Sequence, residues 1–299
     1  MLKTRSTTQS NGNDRASDWF TQANVARYYK ETHWQYQGLW TGNSSLALHY
    51  GYWDQDVEGH IAALHRMNEE LACRAHISAG DVILDAGCGW GGSSIWLTQN
   101  YDVRTLGINI EPKQVEKAKE KARLFGVDER ASFALADYHQ INVPDNTFDV
   151  VWAIESVCHS DHKRAFAREA CRVLKPGGRL VVSDFFRTSR NLHAPDERAL
   201  LQWLWQWVIR DLATFQEFKT DLELAGFVEV KVDDATQNIR PSARRLLITG
   251  LSTAPWAMLF RAVGFHTDLR HGNWKSSILQ YQALKRGTWR YGIFSARKA

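Results

Sequence analysis

The stretch Val82-Ile-Leu-Asp-Ala-Gly-Cys-Gly-Trp-Gly-Gly92 decides the fold of this 299-residue chain. Its first three residues are apolar and predict a buried parallel strand, and Asp85 follows at the carboxyl end of that strand. Gly87 and Gly89 permit a tight turn in which a ligand can approach bare backbone. A helix then begins at Ser93-Ser-Ile-Trp-Leu97, with its free N–H groups directed back at the turn. This order predicts an α/β fold, a doubly wound sheet that holds a nucleoside cofactor.

Two cofactors compete for this glycine turn. The glycines have the G-x-G-x-x-G spacing of a dinucleotide site, which is a weak signal by itself. A dinucleotide site also requires an acidic residue about 20 positions later, to bind the ribose. The next predicted strand, Val103 to Ile110, carries Asn109 there instead. Asp85, two residues before Gly87, has no role in the dinucleotide scheme, so the pattern favours a different nucleoside cofactor.

The motif Asp85-x-Gly-x-Gly89 resembles the first motif of class I S-adenosylmethionine (SAM) methyltransferases. In that superfamily the carboxylate and the glycine turn face the methionine end of the cofactor. Further motifs follow in the superfamily's order over about residues 80 to 190: Gly107-Ile-Asn-Ile110, Ala136-Asp-Tyr138, Phe148 to Glu155 and Val173-Leu-Lys-Pro-Gly-Gly-Arg-Leu180. The resemblance implies an enzyme that transfers a methyl group from SAM, with a Rossmann-like, seven-stranded, mostly parallel sheet.

The same resemblance implies a set of cofactor-binding residues. Asn109 stands where the superfamily usually has an acid for the ribose hydroxyls, and Glu111 is a candidate to share that role. Asp137 and Tyr138 resemble the adenine-binding corner. The complete expected set is Asp85, Gly87, Cys88, Gly89, Asn109, Ile110, Gln114, Asp137, Tyr138, Glu155 and Tyr50.

A narrower resemblance concerns the acceptor. Ala153-Ile-Glu-Ser-Val-Cys-His159 is similar to a run in sterol C-methyltransferases, and its surroundings are similar to tocopherol and prenyl C-methyltransferases. His49-Tyr-Gly-Tyr-Trp53 resembles the aromatic segment before the first motif in that group. The sterol signature Tyr-Glu-x-Gly-Trp-Gly is absent, since Tyr36-Gln-Gly-Leu-Trp40 matches it only weakly. Glu155 and His159, just past the fourth strand, are the candidate catalytic bases.

Outside these motifs the chain divides into extra segments. Residues 1–17 have a disordered composition, residues 18–75 form a helical, aromatic arm, and residues 76–299 form the SAM-binding domain, with insertions at about 190–212 and 234–288. We expect the arm and the insertions to form a helical lid. The remaining predicted elements are strands Ala131 to Leu135, Leu180 to Phe186, Phe227 to Asp233 and Trp289 to Ala296, and helices Glu197 to Leu212, Ser242 to Leu251, Ala254 to Val263 and Phe215 to Ala225.

The 13 tryptophans lie mostly outside the sheet motifs and predict an aromatic cavity. Aromatic faces stabilise a cation by roughly 0.5–2 kcal/mol each, which suits the carbocation formed when an alkene attacks SAM. Tyr28, Trp53, Trp203 and Trp207 are the predicted substrate-binding rings. Arg240 precedes a predicted helix start at Ser242, and Arg244 lies in the first turn of that helix. The two arginines predict either a binding site for a diphosphate or a solvated surface of the lid.

Composition limits the alternatives. The net charge of +4 is mild, no nucleic-acid module is recognisable, and no apolar run approaches the ~20 residues of a membrane span. Four irregularly spaced cysteines predict neither disulfides nor zinc, and hence a cytoplasmic protein without a metal. We expect a hydrophobic small molecule as substrate, with C-methylation of a terpenoid or prenylated compound preferred. O- or N-methylation of an aromatic natural product, a non-catalytic cofactor-binding protein, and self-association through arm or lid remain open.

Overall fold

The computed structural model describes residues 18–35, 40, 46–265 and 267–299. The predicted disorder of residues 1–17 and the weak sterol-like match at residues 36–39 lie outside these ranges. No helix in the described ranges is long and apolar enough to span a membrane.

Seven strands form a single sheet in the order β3-β2-β1-β4-β5-β7-β6. β7 is antiparallel to both of its neighbours, and the other pairs at the centre of the sheet are parallel. The strand order reverses between β1 and β4, which opens a crevice at their carboxyl ends. This confirms the predicted doubly wound sheet. The strands are β1 Val82–Ala86, β2 Arg104–Asn109, β3 Ala131–Leu135, β4 Phe148–Ile154, β5 Leu174–Arg187, β6 Phe227–Asp234 and β7 Trp289–Lys298.

The helices cover both faces of the sheet. They are α1 Gln22–Gln35, α2 His60–Arg74, α3 Gly92–Asn100, α4 Pro112–Leu124, α5 Lys163–Val173, α6 Ala194–Gln206, α7 Phe215–Ala225, α8 Thr236–Ser252, α9 Ala254–Ala262 and α10 Asp268–Lys285. Neighbouring side chains of β4 alternate between two hydrophobic clusters, because successive strand residues point to opposite faces. Val150 and Trp152 belong to one cluster, and Val151 and Ala153 to the other.

The arm and the insertions share one face and one core. The cluster that contains Trp152 also contains Tyr28 of α1, Trp203 of α6 and Ile239 of α8. The opposite face is covered by α5 and α7, for example by Phe166. The lid is therefore continuous with the core of the sheet domain and is not a separately packed layer.

Local capping signals place some boundaries where the sequence predicts them. α7 runs from Phe215 to Ala225 as predicted, because Thr214 and Glu217 form a reciprocal capping box and Gly226 ends the helix at φ 105°. α4 begins at Pro112, with the Glu111 carboxylate accepting a hydrogen bond from Gln114 N. These signals depend on a few adjacent residues, which is why they can be identified without the tertiary structure.

Other boundaries differ from the prediction. β5 begins at Leu174, earlier than the predicted Leu180. α8 begins at Thr236 and contains Pro241, so the predicted helix start at Ser242 is wrong. Pro241 is the sixth residue of α8 and cannot donate to the carbonyl four residues earlier, but its φ is fixed near the helical value, and α8 continues through it. The predicted helix at residues 197–212 is α6, which ends at Gln206. α10 was not predicted as an element.

The arm is fastened to α8 by paired hydrogen bonds. Trp53 N donates to Asn238 O (3.0 Å), and Asn238 Nδ2 donates back to Trp53 O (3.0 Å). The Ser242 hydroxyl accepts from Gly51 N (3.0 Å) and from Trp53 Nε1 (2.9 Å). α1 is held to α10 by Tyr28 Oη, which donates to Asn273 Oδ1 (2.6 Å). These contacts form one lid from segments that are far apart in the chain.

Candidate active site

A large cavity lies at the carboxyl ends of β1, β2 and β4, under the arm. It encloses about 1230 Å³ of space between atoms, its open mouth included. Its position is the topological switch point at which doubly wound sheets bind ligands. All but one of the predicted cofactor-binding residues line this active-site cavity: Asp85, Gly87, Cys88, Gly89, Asn109, Ile110, Gln114, Tyr138, Glu155 and Tyr50.

The glycine turn after β1 forms one wall of the cavity. Gly87 and Gly89 both have positive φ, +96° and +55°. A Cβ at Gly87 would lie 2.3 Å from the Cβ of Ser156, and a Cβ at Gly89 would lie 3.2 Å from Leu48 Cδ1. The turn is therefore packed between the end of β4 and the arm, and it presents backbone to the cavity as the sequence predicts.

Asp85 supplies a buried carboxylate beside this turn. Its Oδ2 accepts a hydrogen bond from Ser94 Oγ (2.7 Å), and burial raises its pKa to about 6. A carboxylate has about four acceptor positions, and Asp85 also borders the cavity. A buried carboxylate that accepts hydrogen bonds, next to a turn with glycines at positions 87 and 89, fits the ammonium group and methionine chain of SAM.

Two amides occupy the position expected for the ribose hydroxyls. Asn109 Nδ2 donates to Gln114 Oε1 (2.8 Å), while Asn109 Oδ1 accepts from Glu111 N (2.9 Å). The Glu111 carboxylate accepts from Gln114 N (2.8 Å) as the cap of α4 and does not line the cavity. The structure thus uses Glu111 as a helix cap, which corrects the alternative that it shares the ribose site.

Asp137 is the predicted cofactor-binding residue that does not line the cavity. Its Oδ1 accepts from His139 N (2.9 Å) and lies 2.7 Å from His139 Nδ1, and its Oδ2 accepts from Gln22 Nε2 (2.6 Å). A short aspartate side chain that bonds its own loop two residues later forms an Asx turn. Tyr138 does line the cavity and donates to Ser156 O (3.0 Å).

Glu155 joins the sheet to the arm. It adopts a left-handed φ of 48°, which is uncommon for a residue other than glycine. Its Oε1 accepts from Tyr50 N (2.7 Å) and from Tyr291 Oη (2.8 Å). Burial raises the pKa of Glu155 to about 8, against the opposing effect of these hydrogen bonds. The two hydrogen bonds join the carboxyl to the arm and to β7, and this geometry indicates a positioning role for Glu155.

His159 forms a pair with Tyr29 inside the cavity. The Nε2 atom of His159 lies 3.0 Å from Tyr29 Oη, and the rings meet edge to face. Burial lowers the pKa of His159 to about 4, so the imidazole is neutral at physiological pH. Sequence reasoning selected Tyr28 from the Tyr28-Tyr29 pair and missed Tyr29, because the face that a helix presents to the cavity depends on its packing.

The predicted substrate-binding rings separate into two groups. Tyr28 and Trp207 line the cavity, together with the unpredicted Phe185. Trp203 is fully buried and packs against Phe185, and the Trp53 indole N–H donates to the Ser242 hydroxyl of α8. Neither Trp203 nor Trp53 lines the cavity, and their contacts stabilise the packing around it.

Arg240 and Arg244 also lie outside the cavity lining, on the exposed side of α8. α8 starts at Thr236 and packs with Ile239 and Ala243 in the core. The helical period then places the two arginines on the solvent side. Leu246 is the α8 residue that reaches the cavity. The placement of the two arginines at a helix N-terminus facing a ligand is therefore wrong.

Comparison with known proteins defines the class. A family model described as a methyltransferase domain matches residues 84–182. The 27-O-demethylrifamycin SV methyltransferase of Amycolatopsis mediterranei (strain S699) is 37% identical over 206 residues, 68% of this chain and 73% of that protein. The 2-methyl-6-phytyl-1,4-hydroquinone methyltransferase of Synechocystis sp. (strain ATCC 27184 / PCC 6803 / Kazusa) is 30% identical over 99% of this chain and 90% of that protein. The solved structure of the [4+2]-cyclase SpnF superimposes with a TM-score of 0.76 at 24% identity, covering 93% of this chain and 96% of that one.

The chain belongs to the class I SAM-dependent methyltransferases. It is an enzyme that uses SAM as its cofactor and acts on small molecules. The resemblance stated from the sequence is thereby confirmed at the level of class, fold and cofactor. The likeness to the cyclase concerns the fold alone, since one fold can carry different chemistry.

Proposed function

We propose that this enzyme methylates a carbon atom of a neutral, prenylated or terpenoid natural product. The observation that carries the proposal is the lining of the active-site cavity, in which aromatic rings stand beside a neutral His159. SAM supplies an electrophilic methyl group on a sulfonium centre. The chain's own residues have to align the acceptor, stabilise positive charge on it and accept the proton that it releases.

The rings are arranged to stabilise a cation. Phe185 makes edge-to-face contacts with Tyr50 (5.5 Å between centroids) and with Tyr291 (5.5 Å), and a tilted contact with Trp207 (5.7 Å). Tyr50, Phe185 and Trp207 all line the cavity. An aromatic face contributes roughly 0.5–2 kcal/mol to a nearby cation, more where water is excluded. This supports an acceptor that becomes positively charged at carbon during the reaction.

The charge of the lining supports a neutral acceptor. Among the described residues that line the cavity there is no lysine or arginine. Arg240 and Arg244, the predicted diphosphate partners, face solvent. A buried anion without a cationic or hydrogen-bonding partner is strongly disfavoured. The two relatives compared above bear names of large, largely apolar substrates, a rifamycin and a phytyl hydroquinone, and these names are consistent with a neutral, bulky acceptor.

The low pKa of His159 bears on the choice between carbon and oxygen. A phenol has a pKa of about 10, and burial lowers the pKa of His159 to about 4, so His159 is a weak base toward a phenol. A carbocation adjacent to a C–H bond is a strong acid, and a weak base is sufficient to deprotonate it. His159, with Tyr29 as its hydrogen-bond partner, is therefore suited to deprotonate a carbocation.

O-methylation is the second candidate, and one specific observation favours it. The 37%-identical relative is named for an O-demethylated substrate. In an O-methyltransferase, His159 would accept the hydroxyl proton while the new bond forms, because the oxygen becomes more acidic as it gains the methyl group.

The experiment that tests the proposal uses SAM labelled with carbon-13 in its methyl group. The acceptors are a prenylated phenol, the methyl ether of that phenol, geraniol and geranyl diphosphate. We expect label attached to carbon in the product, and turnover of the ether, which has no free hydroxyl. Label found only on oxygen would support the second candidate. Turnover of geranyl diphosphate but not of the neutral acceptors would contradict a neutral acceptor.

A further inference from the structure

A second cavity lies within the lid, between α8, α9 and α10, and encloses about 950 Å³ of space between atoms, its opening to solvent included. We call it the lid cavity. Trp256, Ala257 and Phe260 of α9 and Trp274 of α10 line it. Nothing in the active-site chemistry derived above uses this space.

The lid cavity and the active-site cavity have a common wall. Trp40, Trp207 and Leu246 line both of them. Trp207 is 8% exposed, and its indole N–H is buried without a hydrogen-bond partner among the described residues. The two cavities therefore meet at an apolar wall that holds one unpaired donor, which suits a molecule with a polar head and an apolar chain.

The polar groups around the lid cavity are largely bonded to one another. Trp274 Nε1 donates to Gly250 O (2.8 Å), and Thr253 Oγ1 donates to Thr249 O (2.8 Å). Ser277 Oγ donates to Trp274 O (2.6 Å). The surface left to a ligand is thus mainly hydrocarbon and aromatic carbon, which matches a chain without polar atoms.

The outer side of the lid cavity is also apolar. Trp256 lines the cavity and is 61% exposed, and Met258 and Leu259 beside it on α9 are exposed as well. An exposed cluster of large apolar side chains is unusual for a surface with no ligand or partner. A long chain that fills the lid cavity would cover part of this cluster.

We propose that the lid cavity receives the hydrocarbon chain of the acceptor, while the carbon that is methylated lies in the active-site cavity. The inference rests on the proposed function and narrows it to acceptors that carry a long alkyl or prenyl chain. Movement of the Trp207 and Leu246 side chains joins the two spaces, and Trp207 Nε1 donates to a hydroxyl or carbonyl oxygen at the head of the chain.

The test measures binding, so that it is independent of methyl transfer. para-Ethylphenol and para-octylphenol are titrated by calorimetry into the protein loaded with S-adenosylhomocysteine. Each methylene that enters an apolar site contributes about 0.8 kcal/mol, or about fourfold in affinity. We expect a large gain for the octyl compound in the wild-type protein. Equal affinities for the two phenols would overturn the proposal.

Variants assign the gain to the lid cavity. Ala257→Trp fills the cavity, since Ala257 is buried and lines it, and should reduce octylphenol affinity to about that of ethylphenol without changing ethylphenol binding. Ile248→Trp, at an exposed position of α8, is the matched control and should change neither affinity. Thr253→Leu is a milder second filling variant in case Ala257→Trp does not fold.

The outcomes separate this inference from the proposed function. An octylphenol affinity that the filling variants leave unchanged would place the chain in the active-site cavity and would refute the inference, as would equal weakening of both phenols. Chain-length-dependent binding that the filling variants abolish, combined with no methylation of any neutral acceptor, would uphold the lid cavity as a chain site and contradict only the proposed chemistry.

Discussion

Two buried carboxyl groups border the active-site cavity and have different partners. Asp85 accepts from Ser94 and keeps further acceptor positions beside the glycine turn. Glu155 accepts from a backbone N–H of the arm and from the Tyr291 hydroxyl. We therefore expect Asp85 to bind the cofactor and Glu155 to act as a positioning residue that holds the arm over the cavity.

Replacement of Asp85 tests its contact with the cofactor. Asp85→Asn retains an acceptor for Ser94 Oγ but loses the charge, so SAM binding should weaken by about 1.5–3 kcal/mol, the scale of a hydrogen bond to a charged group. Calorimetric titration with SAM measures this change. Asp102→Asn, at an exposed position, serves as the control. An unchanged SAM affinity in Asp85→Asn would contradict the assignment.

His159 is the residue expected to carry the proton. His159→Ala should lower kcat by roughly 10²–10⁴ and leave SAM affinity nearly intact. Tyr29→Phe should have a smaller effect, because it keeps the ring and removes only the hydroxyl that pairs with Nε2. His162→Ala, exposed and outside the cavity, is the control. If His159→Ala changes only KM, His159 positions the acceptor and another group takes the proton.

At the scale of elements, the turn between β1 and α3 can be tested by two glycines. Gly87 and Gly126 both have positive φ, but a Cβ at Gly126 meets nothing within 4 Å, whereas one at Gly87 overlaps Ser156. Gly126→Ala should cost about 1–2 kcal/mol of backbone strain. Gly87→Ala should cost more and should also weaken SAM binding. Thermal unfolding with and without SAM measures both effects, and equal losses for the two variants would argue against close packing of the turn.

The junction between the arm and α8 gives another prediction. Ser242→Val leaves two donors, the buried Gly51 N and the partly buried Trp53 Nε1, without their acceptor. The cost should be about 1–3 kcal/mol for each donor left unpaired. For a chain of this size the melting temperature should fall by roughly 1.5–2 °C per kcal/mol. Ser252→Val, exposed on the same helix, should change it little. A similar melting temperature for both variants would mean that the arm does not depend on this hydroxyl.

At the scale of the whole molecule, buried titratable groups make stability depend on pH in both directions. Burial raises the pKa of Glu155 to about 8 and that of Asp184 to about 6. Burial lowers the pKa of His49, His60 and His159 to about 4. For each carboxyl, the folded protein loses stability as the pH rises from the pKa of that group in the unfolded chain to its pKa in the folded protein, because the unfolded chain releases the proton first. For each histidine, the folded protein loses stability as the pH falls from about 6.5 to about 4, because the unfolded chain binds the proton first.

Glu155→Gln tests the alkaline side of this dependence. The amide keeps an acceptor oxygen for Tyr50 N and Tyr291 Oη but cannot ionise. The free energy of unfolding, measured with urea at about pH 6 and about pH 9, should fall less between these values in the variant than in the wild-type protein. Glu120→Gln, exposed on α4, should behave like the wild type. An identical pH dependence in Glu155→Gln and wild type would show that Glu155 ionises normally in the folded protein.

The sequence by itself determined the sheet, the cofactor and the class of enzyme. β3 and α7 have the predicted bounds, and the turn from Asp85 to Gly89 lies where the motif placed it. These features depend on signals a few residues long: an apolar run, a capping box, glycines with positive φ. Such signals act through local backbone preferences, which do not require knowledge of distant segments.

The tertiary structure alone decided which side chains line the active-site cavity. Tyr29 and Phe185 line the cavity, and Arg240 is exposed to solvent. Glu155 accepts a hydrogen bond from the arm. Each of these outcomes depends on the rotation of a helix about its axis or on a hydrogen bond between residues about one hundred positions apart. The family motifs end near residue 190, before the insertions that complete the lid. Side-chain orientation there follows from burial against distant segments, and a one-dimensional pattern does not contain that information.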